Sequence, residues 1–260
     1  MTLTPAEALV LLDPNADQGV QAAKVTFLGL LAEGVLRLEQ ARSRVFGAYT
    51  QVKLARQPAT APPHVEAVLE AVRYSKAATI NDIAKRLAKA TQRFASFVPA
   101  LVRPRLVQRG LLEERRHQEQ RRTLLLFRRT VTVSTFHPTE AGRREQARLR
   151  TLLDEAPAIR EALDHNPARA AAMAASLGVL LVLVPSLLPV LGQLANAMGL
   201  PQTSGPGESG GNSDDWSTSL DSSATAFGDS LDGALSDAAS DSGSDSDGGD
   251  GGGGDGGGGE

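Results

Sequence analysis

Two phrases in this sequence share one construction. LLAEGVLRLEQ occupies residues 30–40 and LVQRGLLEERR residues 106–116. Each sets two apolar residues and two others before a glycine, then two more apolar residues and a run of charge. A glycine directly after an apolar helical repeat marks a helix end in the left-handed conformation, which glycine adopts without strain. The alternation that follows is that of a half-buried strand. A chain that turns from helix to strand in this way twice is restricted to small helix–hairpin units.

Ahead of the first phrase, Thr4-Pro5-Ala6-Glu7 reads as a helix start, with Thr4 as N-cap and Glu7 closing a capping box. That helix runs to about Leu12 and stops at Asp13-Pro14-Asn15. A second helix, near Val20–Glu33, carries Val20, Ala23, Lys24, Phe27, Leu30 and Leu31 at helical spacing; all but Lys24 are apolar. In the second unit a helix is predicted over His64–Tyr74, with Val65, Val68, Leu69 and Val72 on one face. Another follows over Ile80–Ala90, introduced by Thr79. A third ends at Arg109, and Pro99 and Pro104 predict that it is broken or shortened, since each removes a donor and disfavours helix in the residue before it. LLEERR then leads out and TLLLFRRTVTVSTF, residues 123–136, returns as the second strand of a long hairpin. A last helix restarts at Thr139.

Helix, helix, helix, strand, strand, helix is the order of a winged helix. The expected fold class is mainly α with small β-hairpins (α+β), built from tandem winged-helix-like units. Residues 1–50 form an abbreviated unit, 51–61 a linker, and 62–165 a full unit with a basic hairpin. Residues 170–199 are an apolar helical segment, and 200–260 a disordered, acidic, glycine-rich tail.

The last two assignments rest on composition. No residue from Ala170 to Gly207 is charged, and AAAMAASLGVLLVLVPSLLPVLGQLANAMG exceeds the roughly 20 apolar residues that a helix needs to cross a bilayer. Pro185 and Pro189 fall inside it, which a membrane helix tolerates as a kink. A single span at about 170–198 is therefore expected, with the basic region on the cytoplasmic side. A pair of short core helices, or a re-entrant or interfacial hairpin broken at the prolines, is the alternative to a span, and a cytoplasmic protein is the alternative to a membrane one. Beyond Leu200 the Ser, Gly and Asp content is too polar to offset chain entropy. Trp216, Leu220, Phe227, Leu231 and Leu235 are spaced for a transient amphipathic helix, against the simpler expectation of an unstructured tail.

Charge is divided as sharply. All 27 Lys and Arg lie between Lys24 and Arg169, and the 17 acids before Gly199 leave that part of the chain at +10; the 13 acids after Gly199 meet no base. Such asymmetry points to an electrostatic partner, or to a tail that keeps a basic body soluble. The basic excess peaks between Lys53 and Arg150, with 21 Lys and Arg against 8 acids. Nine arginines there are candidate polyanion contacts: Arg103, Arg105 and Arg109 around the third helix, and Arg115, Arg116, Arg121, Arg122, Arg128 and Arg129 on the hairpin. Anionic lipid or an acidic protein is the first choice of partner, and nucleic acid the second, because the broken third helix is poorly suited to reading bases.

Catalytic chemistry is sparse. The absence of Cys removes thiolate sites. GPGESG at 205–210 lacks the strand and helix that a dinucleotide fingerprint requires, the tail aspartates miss EF-hand spacing, and the four histidines are scattered. No enzyme, no cofactor and no metal site is expected. The non-enzymatic, membrane-anchored interaction module that this suggests has a winged-helix DNA-binding regulator as its alternative.

LTPAEALVLLD, FLGLLAEGVLRLE, PPHVEAVLEAV and LVQRGLLEERR, with GGDGGGGDGGGG at the end, resemble uncharacterised bacterial predicted-membrane-protein families. In these, winged-helix-like halves lie beside transmembrane helices. LTPAEALVLL and RPRLVQRGLLEER are similar, more distantly, to the Golgi phosphoprotein 3-like family, which implies headgroup binding at membranes. The residues of that family's pocket have no counterparts here.

Overall fold

In a computed structural model the described residues are 2–43, 47–75, 79–123, 127–184, 186–187 and 230–240. They are mainly helical, with two small antiparallel hairpins. Helices α1 (Pro5–Leu12) and α2 (Gly19–Ala32) lead into a hairpin of β1 (Leu36–Ser43) and β2 (Gly47–Leu54). Helices α3 (Pro63–Arg73) and α4 (Ile80–Ala90), a π-helical stretch over Phe97–Val102 and α5 (Arg103–Gln108) lead into a second hairpin, β3 (Leu112–Thr123) and β4 (Phe127–Pro138). Then come α6 (Glu140–His165), α7 (Pro167–Leu177), a 3₁₀ turn over Gly178–Leu183, and α8 over 230–240.

The repeated phrase is one structure made twice. Gly34 and Gly110 take φ of +66° and +68°. Around Gly34, the Val35 N–H donates to the Leu30 carbonyl and the Gly34 N–H to that of Leu31; around Gly110, Leu111 donates to Leu106 and Gly110 to Val107. This paired bonding satisfies carbonyls that a helix end otherwise leaves open. The residues after each glycine carry the chain inward, so that Val35, Leu36 and Leu112 are buried.

The helix starts are equally local. Thr4 and Glu7 form the reciprocal capping box, and Thr79 and Thr139 accept from the Asp82 and Gly142 amides. Pro99 and Pro104 act as expected. In an α-helix the ring of Pro104 would meet the carbonyl four residues back; the chain instead widens into a π turn over Phe97–Val102, and only six residues of regular helix follow.

Helix α2 departs from its one-faced pattern. Gly19, Ala22, Ala23, Val25, Thr26, Phe27, Leu28, Gly29 and Leu30 are all buried, because α1, α3, the π-helical stretch and the 3₁₀ turn surround it. It is the central helix of the main core.

The expected membrane span is overturned. Among the described residues no helix is long and apolar enough to cross a membrane. Helix α7 has 11 residues, and the chain breaks at Gly178, φ +54°, into the 3₁₀ turn. Leu180 and Val182 join the main core, whereas Leu177, Leu181, Val184 and Leu187 join a second cluster with Ala156 and Ile159 of α6. The segment is apolar on every side because it is wedged between two protein cores. Residues 185 and 188–199 of the expected span lie outside the described residues, as does the tail apart from 230–240.

Those eleven tail residues are a helix packed into the main core. Leu231, Ala234, Leu235 and Ala238 are buried, and the Lys24 ammonium of α2 pairs with Asp232. A segment read from composition as unstructured is therefore seated on the body of the protein.

Candidate functional site

Strands β3 and β4 pair over twelve residues each, from Leu112 opposite Pro138 to Thr123 opposite Phe127. At about 3.3 Å per residue the ladder extends roughly 40 Å. Charge is not spread evenly along it. Near the base, Arg115 Nε donates to Glu113 at 3.2 Å and Arg116 Nε to Glu114 at 2.9 Å. The Glu114 carboxyl is lowered by bonds from Arg116 and Ser134, and the Arg116 guanidinium is raised by the same pairing. Toward the turn the register opposes Arg121 to Arg129 and Arg122 to Arg128, with no acid between Gln120 and Pro138. Like charges directly opposite one another on a ladder repel. The register thus gathers four arginines at one end of the ladder, with Glu119 two residues before Arg121.

The base is fastened to the N-terminal part of the chain. Asn15, in the turn between α1 and α2, donates through Nδ2 to the Phe136 carbonyl at 2.9 Å and accepts from the Phe136 N–H through Oδ1 at 2.9 Å. Arg103 donates to the Pro14 carbonyl at 2.9 Å and that of Ala16 at 3.2 Å, and its guanidinium lies 5.0 Å from the centre of the Phe136 ring. Burial lowers the pKa of Arg103, against the pull of Asp17 and Asp13. The Thr139 hydroxyl, 2.6 Å from the Gly110 carbonyl, ties the end of β4 to the start of β3. An open groove of about 570 Å³ runs between this base and the start of α6. Glu113, Glu140, Arg115 and Arg143 line it, so its charges largely cancel.

Arg105 and Arg109 face the other way. Both converge on Glu7, whose side chain is 1% exposed: Arg105 Nε is 2.7 Å from Oε1 and Arg109 Nη1 2.9 Å from Oε2. The Thr4 N–H also donates to Oε2, and the Thr4 hydroxyl lies 2.9 Å from His64 Nε2. Burial, opposed by Glu7 and assisted by Arg105, holds His64 down at about 4. The cavity beside Thr4 measures about 90 Å³, against 300–1,000 Å³ for small-molecule sites. The cluster ties α1 to α3 and α5.

The nine candidate arginines therefore separate. Arg103, Arg105 and Arg109 are engaged by protein groups, Arg115 and Arg116 by neighbouring glutamates, and Arg121, Arg122, Arg128 and Arg129 share one end of the ladder. Sequence reasoning missed Asn15, taken as a helix stop, and the second role of Glu7, taken as a cap. Among the described residues no group of three or more His, Asp or Glu is placed to hold a metal ion. No protein family, curated protein or solved structure matches the chain.

Proposed function

We propose that this chain is a non-enzymatic module that grips the phosphate backbone of duplex nucleic acid through its β3–β4 hairpin, irrespective of base sequence. Its two helix–hairpin units are winged-helix-like, and β3–β4 is the wing of the second. The observation that carries the reading is the register, which places two Arg–Arg cross-strand pairs, Arg121 with Arg129 and Arg122 with Arg128, at one end of the ladder. Phosphates are the contacts that position a protein without specifying sequence. The third-helix position argues against base reading. Helix α5 has six residues, and the guanidinium groups of Arg103, Arg105 and Arg109 bond to other parts of the protein. Among the described residues no helix is long and apolar enough to cross a membrane, so the reading does not place the hairpin at a lipid boundary.

The test is fluorescence anisotropy with a random-sequence duplex across a salt series. Four neutralised phosphates correspond to a slope of roughly −3.6 in log K against log salt. Replacing Arg121, Arg122, Arg128 and Arg129 together by Gln should bring the slope close to zero while leaving the far-ultraviolet circular dichroism unchanged. Absence of binding at low salt, an unchanged slope in the fourfold variant, or retention on anionic vesicles without duplex binding would each overturn the reading.

A further inference from the structure

We propose that α8 is a detachable ligand of the protein's own body, received in a helix-docking groove beside α2 whose register is set by the Lys24–Asp232 pair. Two oddities of the sequence explain each other. Lys24 is the one charged residue on the repeating apolar face of α2, and its side chain is 13% exposed. Asp232 is the acid next to Leu231, one of the few large apolar residues of an acidic tail, and the two charges meet. A single charge on an apolar contact face is a recognised way of fixing one register over its alternatives.

The mode of contact is that of a helical ligand. Leu231, Ala234, Leu235 and Ala238 are all buried, at the spacing i, i+3, i+4, i+7 by which an amphipathic helix lies in a groove. An eleven-residue helix is marginal in water by itself, and Gly233 within it weakens it further. The helix therefore owes its order to the groove, and leaving the groove and unfolding are one event. A 42-residue connection, 188–229, separates it from the last described residue of the body. A tether can present a segment at an effective concentration of order 1 mM. A groove affinity on the order of 10–100 μM then keeps the site about 90–99% filled in cis, while leaving the helix releasable without unfolding the core. The ligand class that fits is a short helix of the pattern L-D-x-A-L-x-x-A, and the occupant is the chain's own 230–240.

Hydrogen exchange on the full-length protein reads release directly. Lys24→Glu or Asp232→Lys should each speed exchange of the 231–240 amides by about 3- to 10-fold, as loss of a partly exposed pair allows. Amides of α1 and α3 should not change, and the charge-swapped double variant should restore protection. Equal acceleration throughout the protein, or a double variant no better than the singles, would overturn the proposal. A second measurement uses a fluorescein-labelled peptide of residues 228–242. Full-length Leu231→Asp/Leu235→Asp, its groove vacated, should bind the peptide, whereas wild type should bind at least tenfold more weakly. Equal binding to both proteins, or none to the variant, would also overturn it.

Discussion

Replacing Glu7 by Gln isolates what holds the two ends of the sequence together. The carboxylate accepts from Arg105, Arg109 and the Thr4 N–H, all at 2.7–2.9 Å, and its side chain is 1% exposed. Glutamine keeps the shape but presents one oxygen, and its amide group turns a donor toward at least one guanidinium. The two arginines then differ. Arg105 is 38% exposed and can turn into water; Arg109, at 14%, retains a charge that nothing compensates. Removing one partner of a buried pair costs about 3–5 kcal/mol, so Glu7→Gln should cost about 3 kcal/mol or more, out of a total stability typically of 5–15 kcal/mol. Arg109→Gln should cost nearly as much, and Arg105→Gln about 1 kcal/mol. Urea unfolding followed by far-ultraviolet circular dichroism measures all three at constant m-value. A cost below 1 kcal/mol for Glu7→Gln, or a larger cost at Arg105 than at Arg109, would refute the account of a buried, Arg109-centred hub.

His64, held near 4 by burial against 6.5 when free, gives the fold a pH dependence. Between those values the unfolded chain binds more protons, so stability that is complete above pH 6.5 falls as the pH drops toward 4, by about 3 kcal/mol at most. His64→Gln should lose less stability than wild type between pH 7 and 4.5; equal losses in urea titrations would contradict the assignment. Gln92, Arg93 and Phe94 form three successive left-handed residues, with φ of +51°, +57° and +68°. That conformation costs a side-chain-bearing residue roughly 1–2 kcal/mol, and Arg93 is exposed. Arg93→Gly should therefore stabilise by up to about 1 kcal/mol, part of the gain being offset by the greater freedom of glycine in the unfolded chain; a measured loss of stability would show that the turn is not strained there.

What the sequence made legible is what is decided within a few residues. The Thr4 and Thr79 caps, the glycine ends at Gly34 and Gly110 and the proline interruption of the third helix each depend on bonding or steric clash inside one turn. The site was legible only as a composition. Nine arginines carry the same charge in a sequence, and nothing local says that Arg105 and Arg109 reach back about a hundred residues to Glu7 while Arg103 lies on Phe136. Asn15 shows the same gap: an Asp-Pro-Asn turn has a local reason to exist, and its bonding to the β4 backbone exists only once the hairpin is in place.

The apolar segment and Lys24 mark the limit of hydropathy as evidence. An uncharged run measures how much surface a segment must hide, and lipid and protein interior satisfy that requirement equally. What separates them is length without interruption, since a span needs a continuous helix of about 20 residues. Here the backbone leaves helix at Gly178, and successive side chains serve alternate cores, Leu180 and Val182 one and Leu181 and Val184 the other. Lys24 is the converse case, a charge on a face that has to be hidden. A buried charge is costly unless it is paired, and the Lys24 ammonium, 13% exposed, finds its partner in Asp232 of the tail helix. That pairing, more than two hundred residues apart in the chain, has no local signature in the sequence of α2.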